Sequence, residues 1–462
     1  MDRISKLNAF VEEKMAEFKI PGVSIGILTA EGREVHTFGV TNVDHPLPVT
    51  ADTLFQVGSN TKTMTATLMM MLAHEGKLDF DAPIRTILPD FRVKDESVSA
   101  TATIRQLLTH STGWIGDHFI DSGIGEDAKG KYVESMAELG QLAPPNTAAS
   151  YNNAAFAVAG AIIEKITGQL YEHAIVDMLF KPLGMDHSFI EMGDVMLRRF
   201  AVGHGIEEDK AIVAGPWPLP RAMYSAGAVA ASAGDMLTYA QFYLDGGKTA
   251  DGTQLLSQEA MDELWAPQFN TNSSRGWVAH SWFVVEDGGV TGYTHGGATV
   301  GQMSAFKVIP SKHFAFTSLT NGDAGKLFND AIEAWLLEHY CDIVSTPADP
   351  YTPSDSQLKE LVGRYTRPMI DLEIKLEDGQ LQMRSIPKQG FPTADVPPRP
   401  ASPWFKIKLI SDAVFVAEGG PADGAEGQIV RHSNGAIGWI RFGLRLHIAQ
   451  NPVTDDRWVD RE

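Results

Sequence analysis

The chain has 462 residues, 44% of them apolar and 21% charged, with 58 acidic against 38 basic side chains and a net charge of −20. This length predicts one large domain plus a smaller one, and the composition excludes disorder and a fibrous architecture. The acidic excess excludes sequence-independent nucleic-acid binding, because phosphates would be repelled.

Residues 1–20 read as an amphipathic helix with Ile4, Leu7, Phe10, Val11, Met15 and Phe18 on one side. Charges interrupt it throughout, so it lacks the unbroken apolar stretch of a secretory signal, and a cytoplasmic location is expected. The alternation of Val23 to Leu28 and of Glu34 to Phe38 predicts a β-hairpin through Glu31-Gly32. Met64, Leu68, Met71 and Leu72 then fall at helical intervals, with Gly76 placed to end that helix. Ile104, Leu107 and Leu108 suggest another helix, and residues 153–167 a third, stopped at Gly168. The most apolar run of that third helix, Ala154 to Ile163, is ten residues long, too short to span a bilayer, so no membrane partner is expected.

Ser232 followed by Asp235 predicts a capped helix at Met236 to Tyr243. Strand character returns at Trp282 to Glu286, Gln302 to Pro310 and His313 to Leu319, before a closing helix at Ala324 to Tyr340. Strands, then helices, then strands and a helix predict an α+β body over 1–344, in which both ends of the segment form an antiparallel sheet flanked by helices. Three prolines between Ser345 and Pro353 mark a stiff linker, placed at 345–355. Beyond it, alternating runs at Leu372 to Leu376, Leu381 to Arg384, Phe405 to Ile410, Val414 to Ala417, Gln428 to His432, Gly438 to Phe442 and Leu444 to Ala449 predict a small up-and-down β-barrel over 356–462. Cys341 excludes an internal disulfide and reads as a small buried apolar residue.

Four Ser-x-x-Lys patterns occur, at Ser59, Ser304, Ser356 and Ser385. Ser304 and Lys307 lie in a strand pattern, where residues three apart face opposite ways. Ser385 precedes Pro387, and Ser356 opens a helical stretch ending by Gly363. Ser59-Asn60-Thr61-Lys62 alone stands at the first turn of a long apolar helix. Three helical residues turn the chain by about 300°, so the hydroxyl and the amine project from neighbouring positions. The helix N-terminus adds N–H groups that favour an oxyanion there. Burial would let Lys62 act as a base, or a charged Lys62 could hold Tyr151 as a phenolate. By itself the pair reads first as a helix cap beside a solvated lysine.

With its companions the pattern resembles the serine β-lactamase and penicillin-binding-protein superfamily, above all class C β-lactamases, family VIII carboxylesterases and D-aminopeptidase-type relatives. Phe55 to Lys62 matches the first motif. Ile104 to Trp114 resembles the stretch ending in His-Thr-Ser-Gly, with Ser111 and Thr112 exchanged, and Tyr151-Asn152-Asn153 meets the Tyr-x-Asn motif. His295-Gly296-Gly297 best matches the third motif. The resemblance implies Ser59 as nucleophile, Lys62 as neighbouring base or phenolate stabiliser, and Tyr151 as the general base that later protonates the leaving group. It further implies that Asn153 orients substrate and that the N–H groups of Ser59 and Ala298 form an oxyanion hole, worth roughly 3 kcal/mol per donor. His295 would carry a charge that depends on pH near neutrality, where β-lactamases keep the permanently charged lysine of Lys-Thr-Gly. Antibiotic turnover is therefore expected to be weak at most.

The barrel resembles the lipocalin-like domains of some D-aminopeptidase-type relatives, in which a barrel loop approaches the cleft. Glu418-Gly419-Gly420-Pro421 is the most loop-like candidate for it. His110, Asp117 and His118 are left outside the core site, since a polar loop accounts for them.

Zinc-binding patterns are missing, so no metal or cofactor is called for. Gly22-Val23-Ser24-Ile25-Gly26 matches Gly-x-Ser-x-Gly but lies inside a strand pattern, whereas a nucleophile elbow needs a strand-to-helix turn. The expected activity is hydrolysis of esters or amides of small molecules or short peptides through an acyl-enzyme. Acyl transfer by the same intermediate and a non-catalytic ligand-binding relative are the alternatives, and assembly into a homo-oligomer stays open.

Overall fold

The computed structural model describes residues 2–271, 273–344, 350–390, 396–419 and 422–450. It divides into two compact units: residues 1–79, 159–266 and 279–346, and residues 80–158, 267–278 and 347–462. Residues 345–349 of the linker placed at 345–355 lie outside the described residues.

The first unit is built on an antiparallel sheet in which Gly32–Gly39, Gly22–Thr29, Phe314–Thr320, Met303–Ile309, Val290–Ala298 and Phe283–Asp287 lie side by side in that order. Both ends of the segment thus share one sheet, as the strand–helix–strand pattern predicts. Alternation along Gly22–Thr29 sorts its two faces. Val23, Ile25 and Ile27 join Leu7 and Val11 of the helix Arg3–Phe18 and Phe328, Ile332 and Leu336 of the helix Gly325–Cys341 in one buried cluster. Gly26 faces the other way, where a Cβ would meet Leu237 Cγ at 2.9 Å. Glycine is needed there to let the helix Ala233–Leu244 lie against the strand, which accounts for the Gly-x-Ser-x-Gly match without an elbow. Ser232 caps that helix by accepting the Asp235 N–H at 3.1 Å, as expected. Cys341 is buried, and burial pushes its thiol up to about 11, so it is an inert packing residue.

In the apolar helix Thr61–His74 every residue from Thr61 to Leu72 is buried. Its threonines make this tolerable by bonding inward. Thr65 Oγ1 lies 2.7 Å from the Tyr171 hydroxyl, and Thr67 Oγ1 lies 2.9 Å from that of Tyr239. Val290–Ala298 is a nine-residue strand that hydrophobic patterning does not predict, because its three glycines dilute the alternation.

In the second unit, short helices at Glu96–Thr101, Ile104–Leu108 and Ala128–Ser135 precede the motif at Tyr151, and eight strands close into an antiparallel barrel. These are Gly363–Thr366, Ile370–Glu377, Gln380–Pro387, Phe405–Leu409, Val414–Glu418, Glu426–Arg431, Ile437–Phe442 and Arg445–Ala449. Closure comes from the last strand pairing with the first, Tyr365 opposite Ala449. Seven strands match the predicted runs; Gly363–Thr366 is the eighth, four residues long and too short to show an alternation. Leu372, Ile374, Leu381, Met383, Ile407, Phe415, Ile429 and Ile440 belong to one buried apolar cluster, the side-chain filling expected of a small barrel. Among the described residues no helix is long and apolar enough to cross a membrane.

Candidate active site

Ser59 lies in a one-turn 3-10 segment, Gly58–Asn60, that leads directly into the helix Thr61–His74. The Asn60 position before that helix makes no side-chain cap, so the serine is not spent on capping. Lys62 is fully buried, and its Nζ donates to Ser59 Oγ at 3.1 Å and to the Ala226 carbonyl at 2.6 Å. The alternative of a solvated lysine on the first turn is therefore excluded. As a neutral amine, Lys62 could keep an N–H on Ala226 and turn its lone pair to the serine proton.

Several elements of the first unit pin the serine turn. Val57 N donates to the Val229 carbonyl at 2.9 Å, and Gln56 N to Gln302 Oε1 at 3.0 Å. Ser304 Oγ donates to the Val57 carbonyl at 2.8 Å and accepts Asn60 Nδ2 at 2.8 Å. Ser304 thus belongs to the support of this turn, while Lys307, on the opposite strand face, pairs with Asp287 at 2.6 Å and with Glu333. The opposed directions are those expected of residues three apart on a strand.

The strand Val290–Ala298 comes up against the same turn. Gly58 has φ +53, and a Cβ on it would stand 2.6 Å from Ala298 N. A Cβ on Gly297 would strike the Val57 carbonyl at 1.9 Å. Both glycines are needed for backbone to meet backbone here, which brings the Ala298 N–H beside the residue preceding Ser59. His295, two residues earlier, is buried, and its Nδ1 lies 2.6 Å from the Gly296 carbonyl. Since a carbonyl only accepts, Nδ1 carries the hydrogen.

Tyr151 and Asn153 belong to the second unit. The segment that resembles His-Thr-Ser-Gly holds them: His110 Nδ1 accepts the Asn152 N–H at 3.1 Å, and Thr112 Oγ1 accepts Asn152 Nδ2 at 3.0 Å. The His110 ring lies 4.4 Å from the Tyr151 ring. Asn152 Oδ1 caps the helix Asn153–Thr167 by accepting Ala155 N at 2.8 Å. Asn153 Nδ2 donates to Asp117 Oδ1 at 2.9 Å.

Asp117 centres a charge cluster that patterning left aside as a polar loop. Arg367 Nη1 reaches its Oδ2 at 2.7 Å, and Arg445 approaches both oxygens, at 2.9 and 3.2 Å. Burial alone would raise the Asp117 carboxyl, but the pull of Arg445 and Arg367 wins and holds it well below the usual carboxylate range. The Arg445 guanidinium also sits 4.7 Å from the centre of the Tyr151 ring. No sequence signal marks these arginines, which lie 250 and 328 residues from Asp117. His118 stands apart from the cluster, with Nε2 3.0 Å from Ser135 Oγ.

His447 completes the cluster. Its Nε2 accepts Arg367 Nε at 3.1 Å and its Nδ1 donates to the Arg445 carbonyl at 3.0 Å, so the ring must be neutral to make both bonds. Burial and the nearby Arg367 push it down to about 3. The unfolded chain, with histidine near 6.5, binds the extra proton first, so stability rises with pH between 3 and 6.5 and is lost as pH falls through that window. We expect His447→Gln to remove about 2 kcal/mol of the stability difference between pH 7 and pH 4.5, measured by urea unfolding at both. An unchanged pH dependence in the variant would contradict this.

A Ser-x-x-Lys turn that abuts two strands of an antiparallel sheet and leads into a buried helix defines a protein of the β-lactamase and transpeptidase class. The β-lactamase family model matches residues 7–339, and the chain belongs to that family. It is 34% identical over 366 residues to penicillin-binding protein 4 of Amycolatopsis lactamdurans, covering 76% of this chain and 94% of that protein. A second relative, unguisins hydrolase ungD of Aspergillus violaceofuscus, is 30% identical over 239 residues, which cover 49% of this chain and 42% of that protein. The crystal structure of SurE superposes with a TM-score of 0.71 at 24% identity, covering 96% of this chain and 98% of SurE, and shows the fold, barrel included. The chain is thus a serine hydrolase of the serine β-lactamase and penicillin-binding-protein superfamily, with a lipocalin-like C-terminal barrel.

Proposed function

We propose that the protein hydrolyses ester or amide bonds of small molecules or short peptides in two steps, through an acyl-enzyme on Ser59. The observation that carries this reading is the 3.1 Å contact between the buried Lys62 amine and Ser59 Oγ at the start of a helix. In the first step Lys62 takes the hydroxyl proton as Ser59 Oγ attacks the carbonyl carbon. The oxyanion is received by the N–H groups of Ser59 and Ala298, while Asn153 orients the substrate. Tyr151 protonates the departing alcohol or amine and is left as a phenolate; in the second step that phenolate takes a proton from the water that attacks the acyl carbon, Lys62 returns its proton to Ser59 Oγ as the acyl–serine bond breaks, and the acid is released.

By the resemblance of His295-Gly296-Gly297 to the third motif, His295 takes the place of the β-lactamase lysine, and a permanent grip on a substrate carboxylate is missing from that position. We read this as favouring esterase or D-aminopeptidase-like amidase activity over antibiotic turnover. SurE has also been crystallised with D-Leu, and the fungal relative is named as a hydrolase of unguisins, so D-aminoacyl substrates belong in the first screen.

The test is a panel of p-nitrophenyl esters, D- and L-aminoacyl p-nitroanilides and nitrocefin. The expected result is turnover of at least one ester or aminoacyl amide with kcat/KM about 100-fold or more above that for nitrocefin. Faster cleavage of nitrocefin than of every ester and amide would overturn the substrate assignment.

A further inference from the structure

The segment that ends in Tyr151 is held residue by residue by the barrel. Trp439 Nε1 donates to the Leu142 carbonyl at 2.8 Å, and Arg441 Nη1 to the Ala149 carbonyl at 3.1 Å. Leu446 N donates to Ser150 Oγ at 3.2 Å, and Tyr151 N itself donates to the Leu444 carbonyl at 2.8 Å. Apolar packing follows the same path, with Leu142, Ala143 and Ala148 in one buried cluster with Trp439, Leu446 and Ile448.

The turn that presents the Leu444 carbonyl is unusual. Gly443 and Leu444 join the strands Ile437–Phe442 and Arg445–Ala449 with φ of +55 and +66, the left-handed pair of a tight hairpin. Such a position ordinarily falls to asparagine, aspartate or glycine, and a leucine held there is an outlier of the kind that collects at functional sites. This turn is a barrel element that meets the second motif; of the Glu418 to Pro421 turn, the candidate for the loop that approaches the cleft, Gly420 and Pro421 lie outside the described residues.

The charged contacts converge on the same few residues. Arg367 and Arg445 both bind Asp117, Asp117 binds Asn153, and Arg445 covers the Tyr151 ring. One buried carboxylate faces two guanidinium groups, and His447, which must be neutral, bridges Arg367 to the Arg445 backbone. Groups fixed from several sides in this way have one orientation available.

We propose that the barrel is a positioning device for the second motif: Arg367 and Arg445, through Asp117 and together with the Gly443-Leu444 turn, hold Tyr151 and Asn153 in the orientation the chemistry needs. Both arginines are positioning residues, and through them the barrel sets the rate of the chemical step. This rests on the assignment of Tyr151 as the group that handles the leaving group's proton.

The test is a double-mutant cycle in the full-length chain, with Arg367→Met and Arg445→Met made alone and on Tyr151→Phe. Two readouts serve it: steady-state hydrolysis of an ethyl ester, whose alcohol leaving group needs a proton, and, as a control that needs none, the rate of fluorophosphonate labelling followed by intact mass. Each arginine variant is expected to lower kcat about 30-fold with KM changed less than about threefold. On Tyr151→Phe the same substitutions should cost less than about threefold, since what they position is gone. Arg367→Lys should recover most of the loss, because an ammonium can replace its single contact with Asp117, while Arg445→Lys should not, because that guanidinium spans both oxygens. Where a methionine variant lacks the native thermal transition, Arg445→Lys, which is expected to keep the loss, carries the cycle. A raised KM at unchanged kcat, or losses that add to that of Tyr151→Phe, would overturn the proposal. Near-wild-type activity of Tyr151→Phe would instead overturn the assignment of Tyr151 itself.

Discussion

Ser59→Ala should lower kcat for a p-nitrophenyl ester by about 10,000-fold or more while leaving the fold intact, because the covalent route disappears and only binding and oxyanion donors remain. The surroundings of the turn support a clean result. Gly58, Asn60, Val57 and Gln56 are each fixed by contacts that do not involve the Ser59 hydroxyl, among them Val57 to Val229 and Asn60 to Ser304. The deleted atom removes one Lys62 contact and leaves the one to Ala226. The stability cost should therefore stay within about 1 kcal/mol, the net worth of one ordinary hydrogen bond. Thermal unfolding beside initial-rate kinetics checks both halves. Residual activity within about tenfold of wild type would remove Ser59 from the nucleophile's role.

Lys62→Met should be the second most damaging change, lowering kcat by about 1,000-fold, in the upper range for loss of a general base. Its effect on stability is a contest. Methionine fills nearly the same volume in a fully buried position and needs no polar partner, which favours the variant. Against that, the Ala226 carbonyl loses the donor now 2.6 Å away, at a cost of about 1 to 3 kcal/mol if nothing replaces it. The two effects nearly cancel, so the thermal midpoint should move by only a few degrees while activity collapses. That separation of rate from stability marks a chemical role. A variant that lost both in proportion would show Lys62 to be a structural residue of the helix Thr61–His74.

The first motif was legible because its signals are local. A 3.6-residue apolar period, a glycine stop at Gly76 and a serine–lysine spacing of three all lie within twenty residues, and Asn153–Thr167 was marked in the same way by its stop at Gly168. What escaped was either diluted or distant. Glycines at 292, 296 and 297 hide the strand Val290–Ala298, although that strand meets the serine turn by virtue of two glycines, Gly58 and Gly297. Ser304 belongs to another Ser-x-x-Lys pattern, yet it braces the turn that holds Ser59. Asp117 drew notice only as a polar loop residue, because its partners Arg367 and Arg445 come from the other end of the chain and carry no periodic or motif signal. Long-range ion pairing of this kind leaves no trace in a single sequence, whereas burial and distance reveal it at once.

The account turns on one covalent bond to one hydroxyl. Intact-mass spectrometry of the full-length protein after treatment with a fluorophosphonate, followed by peptide mapping, tests it most directly. The expected result is a single adduct on the peptide that contains Ser59, absent from Ser59→Ala. A folded protein that takes up no label, or one labelled at another residue when Ser59 is replaced, would contradict it.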